Sequence, residues 1–321
     1  MTASTSTTTL DDSLGVTVQS VSPTRMVLRR FRTHKAAMVS TVVLSIVTLW
    51  VLLSPITARY GINEAVIDIN EGFNQNLAPF KKAWFGTDQI GRDLYSRIIY
   101  GMRVSLLIGF ASAFFSLAIG SMVGSIAGLK GGRFDDVVMR VTDIFLAFPF
   151  LVALMVVRST LANVPWLKPL TGEINTVRFL IFLFALFGWM GVARVIRAQV
   201  LSLKEREFVE AARAAGASNW YIIRRHLLPN SAGPMLVALS LGVVGAIVSE
   251  ATLALFGYGP NPGSGATSLG LLVSEARTAV RAGYWWLALY PFSALLIITM
   301  CVSFIGDGLR DAFDPKHTVD S

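Results

Sequence analysis

Long apolar runs, separated by short basic stretches, dominate this chain. A helix needs about 20 mostly apolar residues to cross the roughly 30 Å hydrocarbon layer of a bilayer. Ala36–Leu53 and Val104–Leu129 are apolar and uncharged, and Val141–Val157 is apolar apart from Asp143. Phe179–Ala193 is shorter, but Arg178 and Arg194 flank it and can reach toward headgroups. Gly233–Gly257 carries one acid, Glu250. Ala282–Gly306 opens on Tyr284, Trp285 and Trp286, an aromatic set suited to a membrane interface. The pattern predicts an all-α integral membrane protein with six transmembrane helices, the third kinked at Pro149, a possible hinge. Before the second span, Ile90, Leu94 and Ile98 recur every four residues. They predict a short amphipathic helix over Asp88–Tyr100, capped by Thr87 or Asp88 and lying along the membrane face.

An even number of spans places both termini on one side. Basic residues cluster at Arg25–Lys35, at Lys130, Arg133 and Arg140, and between Arg194 and Arg225. The positive-inside rule makes these segments, and both termini, cytoplasmic. The basic stretch starts late and the apolar run after it is too long for a signal peptide, which predicts a retained first span. The expected organisation is a disordered Ser/Thr-rich stretch at 1–24 and a basic flank with the first helix at 25–58. An external loop at 59–102 follows, then a five-helix core at 103–310 containing a basic loop at 204–230, and a cytoplasmic tail at 311–321.

Composition narrows the function classes. Of 321 residues, 53% are hydrophobic and 15% charged, and mean hydropathy is +0.59. Soluble domains are about one quarter charged, so too few charges remain here to coat them. The formal net charge of +8 is explained by the cytoplasmic flanks of membrane helices, with no need for nucleic acid. The single cysteine, Cys301, excludes a disulfide framework and reads as apolar filler. His34, His226 and His317 are scattered and form no metal constellation, and no catalytic group of residues stands out. The glycines and lysine of Gly124–Lys130 have the wrong spacing for a phosphate loop; close helix packing explains them better.

The 204–230 loop holds the most specific pattern. From Glu205 to Ala215 nearly every residue is a strong helix former. Glu205 and Glu207 suit the positive end of the helix dipole, and Gly216 is a natural terminator. Phe208, Ala211, Ala212 and Ala215 fall at i, i+3, i+4 and i+7, one stripe of a large residue with three small ones. Such a stripe fits either a solvated connector helix or docking in a narrow groove of another protein. Ser218 can cap a second helix, Asn219–Leu228, which Pro229 is expected to stop.

Glu210-Ala211-Ala212, then Gly216, then His226-Leu227-Leu228-Pro229 resembles the EAA loop of ATP-binding-cassette importer permeases, with His226 as in the peptide-importer branch. Phe85–Gly101, Glu250–Leu253 and Gly306–Pro315 are similar to the same branch, most of all to the C-type permease subunit of dipeptide importers. The resemblance implies the type I importer fold and a permease subunit moving di- or oligopeptides, with nickel chelates or haem as alternative cargo. It implies partners: a second permease, ATPase subunits that carry the ATP and Mg, an external substrate-binding protein, and the plasma (inner) membrane bilayer. This chain would bind no cofactor itself. Glu207, Phe208, Glu210, Ala211, Ala212, Arg213, Ala215, Gly216, Leu228 and Pro229 would form the cytoplasmic coupling element, a lever that transmits ATPase motion into the spans. Glu210 and Arg213 would sit at the rim of the ATPase groove. A self-powered secondary transporter is the rival reading, but it would show inverted repeats, and none is evident. Intramembrane acids usually face a bundle interior or an aqueous path. Asp143 is expected either to pair with a nearby arginine or to face that path. Glu250 is expected to meet a peptide ammonium or to pair with the sister permease.

Overall fold

The structure, a computed structural model, describes residues 23–66, 75–161, 164, 168, 176–260 and 266–313. The expected disordered N-terminus falls outside these residues up to position 22, and the expected tail from position 314 onward. Among the described residues the regular elements are helices, and two isolated bridges, Ala65 to Arg92 and Thr87 to Asp93, tie loop segments together. The helices are α1 (Pro23–Thr33), α2 (Lys35–Leu52), α3 (Ser54–Thr57), α4 (Leu94–Lys130), α5 (Gly132–Ala147) and α6 (Phe150–Leu161). They continue with α7 (Val177–Leu203), α8 (Glu207–Ala214), α9 (Asn219–Ile222), α10 (Leu228–Asn230), α11 (Ala232–Leu255), α12 (Leu269–Arg281) and α13 (Trp286–Phe313).

Five helices, α2, α4, α7, α11 and α13, are long and apolar enough to cross a membrane. The remaining apolar stretch, α5 with α6, is bent by 96° at the break between them, so it is a broken span or a re-entrant segment. The kink expected at Pro149 is therefore a full break. Proline starts the break, because it lacks an amide donor and pushes the residue before it out of helical conformation. Phe148 is accordingly extended, at φ −82° and ψ 142°. Large apolar side chains point outward along the spans, among them Val39, Val42 and Ile46 on α2 and Phe292, Leu296 and Met300 on α13. Exposed apolar rows of this length fit contact with lipid and would be a liability in water.

The most extensive packing joins α4 to α7. Gly120, Gly124 and Gly128 make it possible. A Cβ on Gly120 would stand 2.6 Å from the Trp189 carbonyl oxygen, and one on Gly128 would stand 2.9 Å from Val200 Cγ1. A Cβ on Gly124 would collide with the Ala193 carbonyl. This is the small-residue packing of membrane helices, in which backbones touch because nothing larger intervenes. Cys301 is buried on α13, as filler should be.

Residues Asp88–Tyr100 do not form the separate amphipathic helix that their spacing predicts. Asp88–Asp93 is a tight turn, and helix begins only at Leu94, continuous with the second span. The whole of α4 has 37 residues, about 55 Å at 1.5 Å per residue. Asp93 caps it: its carboxylate accepts from the Ser96 amide at 2.8 Å. Asp88 instead organises the turn. Its Oδ1 accepts from the amides of Ile90 (3.0 Å) and Arg92 (2.9 Å). Its Oδ2 accepts from Arg92 Nε (2.7 Å) and Arg97 Nη1 (2.6 Å). Arg97, only 2% exposed, also donates to Glu275 Oε2 at 2.8 Å and so bolts this turn to α12. Leu94 and Ile98 are buried by these contacts, while Ile90 projects from the turn. Breaking one partner of a buried ion pair costs about 3–5 kcal/mol, because the remaining charge stays buried. Arg97→Ala should therefore loosen residues 75–93, seen as faster amide hydrogen exchange there, while exchange in α7 stays slow.

Candidate functional site

The connector between α7 and α11 packs against the end of the bundle where α1 and the end of α13 also meet. Its first helix, α8, begins after Arg206, with Glu207 and Glu210 in the first turn and Arg213 in the last. This charge order complements the helix dipole. Gly216 ends the helix at φ +80°, a left-handed conformation that glycine adopts without steric cost. The Gly216 amide donates to the Arg213 carbonyl (2.9 Å) and the Ala217 amide to the Ala212 carbonyl (3.0 Å), a Schellman closure. Ser218 caps α9, its hydroxyl accepting from the Tyr221 amide at 3.3 Å.

Pro229 does not stop the second connector helix. After α9 comes a π turn over Ile223–Leu227, then α10, which contains Pro229, and then α11 after Ser231. The Leu228 amide donates to the Ile223 carbonyl, five residues back. A proline in a helix has no amide to donate and crowds the carbonyl one turn earlier. Widening that turn by one residue relieves the clash and lets the helix continue. The chain is thus helical from Asn219 through Pro229 to Asn230, and one turn residue, Ser231 (φ −97°, ψ 7°), separates it from α11.

What holds α8 in place is Val209, fully buried against Leu129, Ile196, Val200, Ile222, Ile223 and Leu227. The sequence reading passed over Val209 because it lies off the Phe208–Ala215 stripe. Its signal was chemical: it is the one β-branched residue of α8, whose other large apolar side chain is Phe208. With Val209 turned inward, the stripe itself faces out. Phe208 is 39% exposed, Ala211 and Ala215 are exposed, and Ala212 is half-buried. Phe208, Ala212, Ala215 and Gly216 line an open depression with Tyr221 and His226 on its other side. The His226 ring lies 6.0 Å from Phe208 and 5.8 Å from Tyr221, centroid to centroid. Glu207, Glu210, Ala211 and Arg213 stand exposed around the depression; Leu228 joins the buried cluster and Pro229 is exposed, both outside it.

The other three sequence candidates lie elsewhere. Asp143, largely exposed on α5, pairs with Arg194 of α7. A second link between the same helices was not anticipated. Buried Asp135 takes Arg197 in a two-pronged contact, with both bonds at 2.5 Å. Pro149 sits at the break between α5 and α6. Glu250 is 0% exposed and its carboxylate is held by partners within this chain. Ser268 Oγ donates to its carboxylate at 2.6 Å and Ser105 Oγ at 3.4 Å, and the Leu269 amide donates to Ser105 at 3.1 Å. Glu250 thereby ties the start of α12 to α4 and α11. Its sequence position showed an acid inside a span but not that two serines, from distant segments, converge on it.

A family model described as "Binding-protein-dependent transport system inner membrane component" matches residues 120–319, and one described as "N-terminal TM domain of oligopeptide transport permease C" matches residues 22–79. The chain belongs to this family of transport-system inner membrane components. Similar curated permeases cover nearly its full length. The dipeptide transport system permease protein DppC of Bacillus subtilis is 32% identical over 297 residues, 92% of this chain and 87% of that protein. The oligopeptide transport system permease protein OppC of the same species is 34% identical over 306 residues, 95% of this chain and 93% of that protein. A putative peptide permease of Brucella suis is 38% identical over 298 residues, 92% of each. Among solved structures, a chain of the MetNI methionine ABC transporter in an inward-facing conformation superposes with a TM-score of 0.53 at 21% identity. That match covers 68% of this permease and 97% of that chain, and it bears on the fold alone. The all-α permease fold expected from the EAA-like loop is thus the observed one, and the protein is a multi-pass membrane component of a transport system.

Proposed function

We propose that this permease is the C-type subunit of an ATP-driven importer of di- and oligopeptides, and that α8 is its coupling helix. The observation that carries the reading is the combination of an outward-facing small-residue stripe on α8 and the helical path, interrupted only at Ser231, that runs from α9 into α11. Val209 and the Schellman closure hold α8 rigidly, so a push on it moves the bundle and does not unwind the helix. α8 would sit in a groove of an ATPase subunit, with Glu210 and Arg213 making polar contacts at the groove's rim. Ala211, Ala212 and Gly216 would let the two backbones approach closely. ATP and Mg would act on those partner ATPases. When two such subunits close around ATP, this helical path would carry the motion into the spans and switch the bundle between inward-facing and outward-facing states.

In this reading the connector and both termini are cytoplasmic, in line with the arginines and lysines at that end. The Asp88 turn would then face outward, toward an external substrate-binding protein, and a second permease would complete the path. The names of the relatives support peptide cargo. The test is uptake by proteoliposomes holding the co-purified complex, with labelled di- and tripeptides, a nickel chelate and haem. Peptide uptake that requires ATP is expected. Uptake driven by an ion gradient without ATP would overturn the reading in favour of a secondary transporter. Accumulation of the chelate or haem alone would overturn the choice of cargo.

A further inference from the structure

The uncharged run of α13 ends at Gly306, and Asp307, Arg310 and Asp311 follow, so this part of the helix marks a membrane surface. α1 packs against the same stretch. Phe31 of α1 lies 3.3 Å from where a Cβ on Gly308 would stand, and Ala37 of α2 crowds the same point. His34, between α1 and α2, meets Asp311 at 3.5 Å. His34 is extended, at φ −79° and ψ 94°, so the helix is interrupted there and α1 does not prolong the first span. We infer that α1 is a docking surface for anionic phospholipid, with Arg25, Arg29, Arg32 and Lys35 holding the phosphates of the leaflet at this end of the bundle. The inference needs only that the chain crosses a membrane, and it is independent of the cargo.

The faces of α1 are sorted by chemistry. Arg25, Arg29 and Arg32 fall at i, i+4 and i+7 and form one exposed stripe. Phe31 lies on the opposite side and is half-buried against α13. Leu28 (50% exposed) and Met26 (46% exposed) flank the basic stripe. Lys35 is exposed at the start of α2. It shares a face with Val39, Val42 and Ile46, at i+4, i+7 and i+11, the outward-pointing row of that span. Where this row meets acyl chains, the cation at its head meets the headgroups of the same lipids. That continuity names the occupant: the surface beside α1 is the rim of a lipid-facing wall.

Charge selects the kind of lipid. α1 contains no acid, and among the described residues none of these four cations forms an ion pair within the chain. A helix with arginines on its polar face and apolar chains beside them lies in the interfacial plane, and anionic lipid strengthens its binding. The planar guanidinium fork matches phosphate oxygens two at a time. A zwitterionic headgroup brings its own cation to its phosphate, so a net negative one is the better partner for four unpaired charges.

The experiment places the full chain, in its co-purified complex, in nanodiscs of phosphatidylcholine alone or of phosphatidylcholine mixed with phosphatidylglycerol. Amide hydrogen exchange is read over residues 23–35. Phosphatidylglycerol should slow it about tenfold or more, since each basic residue near an anionic surface is worth about fivefold in membrane affinity. Raising the salt to about 1 M should remove most of the slowing. Inorganic phosphate added to the phosphatidylcholine discs should not reproduce it. Replacing the four together, Arg25→Gln, Arg29→Gln, Arg32→Gln and Lys35→Gln, should abolish the lipid effect. These side chains are exposed, so no burial is lost with them. The variant with Arg25→Lys, Arg29→Lys and Arg32→Lys keeps every charge and should keep most of the slowing. Equal exchange in the two lipids would overturn the inference, and protection that then vanished with the ATPase subunits would make α1 a protein contact. Slowing that persists in the fourfold Gln variant, or that inorganic phosphate matches, would overturn it as well. Peptide uptake, measured separately, decides the importer reading whichever way α1 behaves.

Discussion

Ala215→Trp should cut ATP-driven uptake to about a tenth of wild type or less while the permease stays folded. Ala215 is exposed and lines the depression beside Phe208. Its backbone, at φ −76° and ψ 5°, accepts any L residue, and no burial is lost on substitution. A tryptophan there would block the close approach that α8 makes to the ATPase in the proposed coupling. Well-packed contacts at the centre of an interface carry about 2 kcal/mol or more each, and that amount corresponds to a change of about thirtyfold in affinity. The same substitution at Ala212 is a less clean test, because Ala212 also packs partly against the Val209 cluster, and a loss there would mix docking with folding. The measurement is uptake and ATP hydrolysis by the same reconstituted complex, with thermal unfolding as the control for fold. Hydrolysis that no longer responds to cargo, alongside lost uptake, would identify α8 as the coupling element. Unchanged uptake would remove α8 from that role.

Gly124→Leu should have the largest effect on the fold itself. Its Cβ alone would collide with the Ala193 backbone, so α4 and α7 would have to separate along the most extensive contact in the bundle. Overpacking a well-packed site costs about 1–3 kcal/mol, and here the obstacle is backbone, which cannot rotate out of the way. A loss of about 3 kcal/mol or more is a large share of a total stability of about 5–15 kcal/mol. The expected outcome is a markedly lower unfolding temperature in detergent and a poor yield of monodisperse protein. Gly124→Ala should show the same effect in smaller measure. Gly191→Ala on α7 is the control, since nothing lies within 4 Å of its would-be Cβ, and it should be close to neutral.

How far each feature could be read along the chain depended on the range of the forces behind it. The spans at α2, α4, α7, α11 and α13 follow from runs of apolar residues whose preference for lipid needs no neighbour. Gly216 and Ser218 act within one turn of helix, and both do what their types imply. Pro149 shows the limit of the local argument: an imino residue in a span predicted a bend, but the 96° outcome depends on where α6 finds packing against α7 and α11. Pro229 shows it from the other side. The same chemistry that broke the third span is absorbed at Pro229 by a π turn.

By itself the sequence determined that the protein resides in a membrane, where five of its spans lie, and which loop resembles the EAA loop, because hydropathy, caps and helix propensity act over a few residues. Only the tertiary structure decided that Val209 anchors α8 and the alanine stripe faces out, that Asp88 joins Arg97 and α12, and that Glu250 is enclosed by Ser105 and Ser268. In each case the outcome depends on which distant segments approach one another, and burial, pairing and empty volume exist only once they do.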